Sequence, residues 1–124
     1  MKINSKIMDT SIIEEKLISE IKLNSVQAKT FLLITCYGQM NISQIADKLN
    51  ISKDLAFKTA KDLMRLGAFI DMPEKEFEAM HPRFTAVNMY RRLCEKEKIE
   101  FKRNKIVDSI GVMLEKPYED ARTK

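Results

Sequence analysis

The stretch Asn41 to Gly67, NISQIADKLNISKDLAFKTAKDLMRLG, constrains the fold more than any other part of the chain. Its apolar residues recur at helical spacing in two blocks, first Ile42, Ile45, Ala46 and Leu49, then Ala56, Thr59, Ala60, Leu63 and Leu66. Asn41 followed three residues later by Gln44 has the pattern of a capping box, Ser52 is suited to open the second helix, and Gly67 to close it. Asn50 stands where the chain must reverse, and Asn tolerates the left-handed conformation such a reversal needs; Ile51 then plugs the turn. Two helices joined this tightly, with small alanines that permit close approach, form a helix-turn-helix, the arrangement that presents its second helix to a DNA major groove.

The flanking segments supply the rest of a domain. Residues 10–22 place Ile12, Ile13, Leu17, Ile18 and Ile21 on one stripe, so residues 1–22 are expected to contribute an amphipathic N-terminal helix. Asn24 and Gln27 repeat the Asn-x-x-Gln cap ahead of Val26, Ala28, Phe31, Leu32, Ile34, Thr35 and Tyr37, a strongly apolar helix that stops at Gly38. After Gly67 the period changes. Phe69, Ile70 and Met72 lead into Pro73-Glu74-Lys75-Glu76, and Phe77, Ala79 and Met80 alternate beyond it, which predicts two short strands around a turn. Helix, helix, recognition helix and hairpin together predict a winged helix-turn-helix domain over residues 23–81.

His81-Pro82 is expected to open a long helix over 82–116, because Pro suits a first helical position and none recurs before Pro117. Val87, Tyr90, Cys94 and Phe101 form one apolar line along it, and Ile99, Ile106, Ile110 and Met113 a second with heptad-like spacing. A thin seam on a long charged helix calls for a partner, so these eight residues predict a homodimer. Gly111 is expected to weaken the last turns, and residues 117–124 to be a frayed tail. The fold class is therefore mainly α with a small β-hairpin wing and a C-terminal dimerisation helix, and 124 residues suit one domain.

Charge narrows the partner. The chain carries 22 Lys and Arg against 18 Asp and Glu, a net of +4 that is compatible with a polyanion without demanding one. Lys53, Lys58, Lys61 and Arg65 against Asp54 and Asp62 give the second helix a local net of +2, whereas Asp71 to Glu78 holds four acids and one lysine. The first 22 residues mix charges among their apolar positions, which predicts no signal peptide; no apolar run approaches the ~20 residues of a membrane span, so a cytoplasmic location follows. Cys36 and Cys94 lie in apolar helical contexts without metal-ligand spacing and read as buried thiols. With three glycines and one histidine there is no phosphate loop, His/Cys cluster or nucleophile elbow, so no catalytic site, metal or cofactor is expected.

On these residues the chain resembles the DNA-binding domain of the TrmB family of archaeal transcriptional regulators. LNSVQAKTFLLI is similar to that family's first helix, ISQIADKLNISKDLAFKTAKDLMRLGAFI to its helix-turn-helix, and FEAMHP with the charged helix after it to its wing exit. The likeness runs from Leu23 through about Glu97, and implies a winged helix that binds double-stranded DNA. Three features depart from the family. Asn50 stands where a Gly is common, Phe57 where a Tyr is common, and the wing is short and acidic. The sugar-binding domain of larger members has no counterpart in these 124 residues, so sugar sensing is not carried over and any small-molecule effector stays unknown.

With DNA as ligand, Lys53 and Asp54 are best placed for base edges, Ser52 for a phosphate at the helix N-terminus, Phe57 for sugars or a thymine methyl, and Lys58 and Lys61 for the backbone; Asp62 is a further exposed candidate. The plain alternative is a solvated helix face, against which Phe57 argues, since an aromatic side chain on a polar face asks for a cover. Gln44 reads equally as a phosphate contact or as a cap partner. Arg83, Arg91 and Arg92 are expected to pair at least in part with the wing acids Glu74, Glu76 and Glu78, and His81 to cap a helix. The function this predicts is a homodimeric DNA-binding transcriptional regulator; the alternatives are a winged-helix protein interaction module and a nonspecific chromatin-associated DNA-binding protein.

Overall fold

A computed structural model describes residues 10–123. The part of the expected N-terminal helix before Thr10 lies outside the described residues. The described residues form α1 (Thr10–Ile21), α2 (Ser25–Tyr37), β1 (Met40–Asn41), α3 (Ile42–Leu49), α4 (Lys53–Arg65), β2 (Phe69–Met72), a 3-10 turn (Pro73–Lys75), β3 (Glu76–Ala79), α5 (Pro82–Glu97) and α6 (Lys105–Arg122). The chain is thus mostly helical with a small antiparallel sheet, consistent with a winged-helix-like fold.

The sequence signals of the central region are realised as bonds. Asn24 and Gln27 form a reciprocal capping box on α2, as do Asn41 and Gln44 on α3. Asn50 adopts the left-handed conformation at φ 56°, ψ 50°, and the Ile51 N–H reaches back to the Ala46 carbonyl at 3.0 Å. Gly67, at φ 84°, ends α4 in the same way, with the Ala68 N–H bonded to the Leu63 carbonyl at 2.9 Å. Ala56, Thr59, Ala60 and Leu63 bury the inner stripe of α4 against α2, and Phe31 of α2 stacks on Phe69 with ring centroids 6.4 Å apart. The wing carries one strand more than the sequence pattern indicates: β1 joins β3, giving the order β1-β3-β2, with Met40 opposite Phe77 and Phe69 opposite Ala79. A two-residue strand whose second residue is the capping Asn41 is too short a run to show a period.

The C-terminal third departs from expectation. In place of one helix over 82–116, the chain breaks at Lys98, in the left-handed conformation at φ 58°, and restarts at Asn104, whose side chain accepts the N–H groups of Ile106 and Val107 at 2.9 and 3.1 Å. The two helices then pack on each other, and α6 also covers α1 and α2. Val107, Ile110 and Leu114 are fully buried there, a gain of roughly 5–9 kcal/mol for three aliphatic side chains. That outweighs the left-handed Lys98, at about 1–2 kcal/mol. It also outweighs Pro117 within α6, at about 3 kcal/mol.

Two further expectations fail for the same tertiary reason. Residues after Pro117 are helical to Arg122, not frayed, because Arg122 grips Glu78 of β3 through two nitrogens, donates to the carbonyls of Ile34 and Thr35 at 3.0 and 2.9 Å, and stacks over Tyr118 at 3.9 Å. Tyr118 in turn donates to the Ala79 carbonyl at 3.3 Å. Gly111 is no weak point either. A Cβ there would stand 2.7 Å from the Arg83 Cα, so the missing side chain is what lets α6 lie against the start of α5.

Candidate nucleic-acid interface

The interface candidate is the outward face of α4. Its first turn is fixed by Ser52, whose hydroxyl oxygen accepts the Leu55 N–H at 3.1 Å. Lys53, Asp54, Phe57 and Lys58 are exposed, and Lys61 is half-buried. Phe57 is 52 % exposed with the Lys61 ammonium 5.7 Å from its ring centroid, so the aromatic and the cation share one spot on the face. Leu55, 38 % exposed, lies one turn before the buried Thr59, on the flank of α4 opposite Phe57.

Not every expected residue joins this face. Asp62 is turned into a local network, accepting from Lys58 at 3.3 Å, Arg65 at 2.6 Å and Gln27 at 3.4 Å. Burial pushes its carboxyl up, but the hydrogen bond and charge of Lys58 and the hydrogen bonds from Arg65 and Gln27 prevail and hold it below the usual carboxylate range. It is thus a tether for Lys58 and Arg65 and does not stand free on the reading face. Gln44 is occupied as a cap partner, its side-chain oxygen accepting the Asn41 N–H at 2.9 Å, which leaves only its amide N–H groups for a phosphate.

The three arginines beyond the wing do not pair with wing acids. Arg83 donates to Glu115 at 3.2 Å, Arg91 lies over the Phe101 ring at 4.6 Å, and Arg92 donates to the Arg65 carbonyl at 2.7 Å. Arg122, which the sequence reading placed in a loose tail, takes Glu78 instead, and Gln39 takes Glu76 at 2.6 Å. Glu74 and Lys75 form the wing tip at positive φ, 66° and 61°. The tip remains acidic, with Asp71 and Glu74 exposed.

His81 caps α5 as expected, its Nδ1 accepting the Arg83 N–H at 3.2 Å. The ring also stands beside Glu115 and Glu119, one atom of each of the three lying within 4.8 Å of the others. Because Nδ1 is an acceptor, the proton of the neutral ring sits on Nε2, the nitrogen that faces the two carboxylates; capping and metal ligation through Nε2 exclude one another. Cys94 is fully buried and Cys36 half-buried, and burial pushes the Cys36 thiol up to about 11 against a partial opposing pull from Arg122.

The apolar seam expected of the C-terminal region is split by the helix break. Cys94 and Ile110 lie inside the chain's own core, and Val87, Tyr90 and Met113 pack against that core. Ile99, Phe101 and Ile106 stay exposed around the loop. Among the described residues no helix is long and apolar enough to cross a membrane.

No family model and no curated protein matches the chain. Among solved structures it is similar to TrmBL2, described as "an archaeal chromatin protein" that "shows a novel mode of DNA binding", with a TM-score of 0.63 and 15 % identity over 73 % of this chain and 35 % of that chain. At that identity the likeness is one of fold, and this chain spans about a third of its neighbour's length.

Proposed function

We propose that this protein binds double-stranded DNA through α4 as a homodimeric, cytoplasmic transcriptional regulator. The observation that carries the reading is the outward face of α4 on a winged-helix frame: Lys53, Lys58 and Lys61 around an exposed Phe57, with Asp62 already neutralised by its own neighbours. Ser52 sits at the helix start, where free N–H groups suit phosphate, and Lys53 and Asp54 suit base edges, Asp54 a cytosine amino group. Lys58 and Lys61 suit the backbone on either side, and the Gln44 amide extends the same line from α3. The TrmB resemblance and the fold shared with a DNA-binding chromatin protein support this reading.

Dimerisation is assigned to the loop between α5 and α6, where Ile99 and Ile106 are 52 % and 43 % exposed. A two-fold axis there would let paired α4 helices enter major grooves about 34 Å apart. Fluorescence anisotropy on duplex from the protein's own promoter region and on random duplex, at several salt concentrations, tests the reading. Preference for the first, with affinity falling steeply in salt, is expected. The double substitution Lys58→Glu and Lys61→Glu should lower affinity on the order of a hundredfold by reversing two backbone contacts; because Lys58 also pairs with Asp62, Lys61→Glu alone is the variant expected to lose affinity with the thermal midpoint little changed.

A second reading has its own support. The chromatin-protein neighbour fits a protein that coats DNA without sequence preference, whereas the modest charge of α4 and the acidic wing fit a protein interaction module. Equal, salt-dependent binding to both duplexes would select the coating protein. Absence of binding to either would select a protein interaction module.

A further inference from the structure

The break between α5 and α6 creates a groove that no residue of α4 lines, beside the loop to which dimerisation is assigned. It is a cavity of about 530 Å³, within the range of small-molecule sites. Val87, Tyr90, Phe101, Val107 and Val112 make its apolar lining, with the Tyr90 and Phe101 rings tilted against each other at 6.0 Å between centroids. Three arginines line it against one aspartate. Two of the three are already matched, Arg83 by Glu115 at 3.2 Å and Arg103 by Asp108 at 2.8 Å. Arg91 has no carboxylate partner among the described residues; its guanidinium rests on the face of Phe101, 4.6 Å from the ring centroid.

We infer that this groove binds a small amphipathic carboxylate, its apolar body against Val87, Tyr90 and Val112 and its carboxylate on Arg91. A guanidinium presents a planar fork of N–H donors that matches the two oxygens of a carboxylate. The stack on Phe101 holds that fork in place, so less freedom is lost when an anion arrives. The concave apolar walls set the site apart from a phosphate-tracking surface, which is open and polar, and the surplus positive charge sets it apart from a neutral lipid site. The occupant bridges α5, which follows the wing, and α6, whose far end holds the wing strand through Arg122 and Glu78.

The inference stands apart from the DNA reading, and its test contains no DNA, so the two fail separately. The full chain is titrated calorimetrically with 4-phenylbutyrate, with decanoate and with the neutral 4-phenylbutanamide. Saturable one-to-one binding of at least one acid is expected, with the amide at least about tenfold weaker than its acid. Arg91→Ala should weaken the acid by at least about tenfold, Arg91→Lys should recover part of the loss, and Val112→Trp should fill the groove and abolish binding while the thermal midpoint stays put. The assignment is overturned if neither acid saturates by about 1 mM, a concentration at which even weak specific sites fill. It is overturned equally if the amide binds as well as the acid, or if Arg91→Ala binds like the parent. Sedimentation of Val112→Trp closes the remaining route: dissociation of a parent dimer would put a second copy of the chain in the groove instead.

Discussion

The helix pairs α3–α4 and α5–α6 are built by different means. In α3 and α4 the turn is written into four residues, Asn41, Asn50, Ser52 and Gly67, each chemically suited to the cap it forms. In α5 and α6 the chain reverses through Lys98, a residue with no preference for the left-handed conformation it adopts, and only Asn104 marks the restart. The first pair is specified by local chemistry; the second is imposed by what α6 buries. The pair with local caps carries an exposed polar face free to meet a ligand, whereas the pair made by burial holds the wing in position.

The largest effect that would break this contrast lies at the far end of α6. If tertiary contact alone carries the helix past Pro117, removing Arg122 should release its last turns and leave Glu78 without its cation. Loss of one partner from a largely buried pair costs roughly 2–4 kcal/mol, at the lower side here because each side chain keeps about a fifth of its exposure. Arg122→Ala is therefore expected to lower the urea midpoint by that equivalent and to raise amide exchange in residues 118–122. A helix end that stays protected in this variant would mean that the local sequence specifies it after all.

Next in size is Gly111. Helix propensity alone predicts that Gly111→Ala stabilises α6 by about 1 kcal/mol. The contact predicts the reverse, because a Cβ would meet the Arg83 backbone at 2.7 Å and a backbone atom cannot swing aside. Overpacking of this kind costs typically about 1–3 kcal/mol, so a net loss of roughly 0–2 kcal/mol in thermal or urea unfolding is expected. A clear gain would show that α5 and α6 are not held as close as the contact requires.

The same contrast explains what the sequence made legible. The helix-turn-helix, its caps, the inward stripe of α4 and the exposed Phe57 could be read because each depends on neighbours within about one turn. The strand β1 could not, since Met40 and Asn41 become a strand only by pairing with Phe77 and Glu76. The helix break at Lys98 was hidden for a similar reason: no Gly or Pro marks it, and Ile99, Phe101, Ile106 and Ile110 mimic a continuous seam. Asn104 ahead of Val107, Ile110 and Leu114 was the available sign, an N-cap preceding a new apolar stripe. The roles of Arg83, Arg91 and Arg122 depend on residues 10 to 88 positions away in the chain and on no local rule.

The smallest effect gives the sharpest form of the comparison, because it sets one residue of each pair in the same backbone conformation. Asn50 and Lys98 both end a helix at positive φ, 56° and 58°. A left-handed conformation costs an ordinary residue about 1–2 kcal/mol, and Asn less. Glycine removes that cost but adds about 0.5–1 kcal/mol of unfolded-state entropy. Lys98→Gly should therefore stabilise the chain by roughly 0.5–1 kcal/mol, while Asn50→Gly should leave it within a few tenths of a kcal/mol of the parent. Paired urea titrations at constant ionic strength measure the difference. Equal responses at the two sites would mean that Lys98 has found local compensation of its own, and the second reversal would then rank with the first as one its sequence specifies.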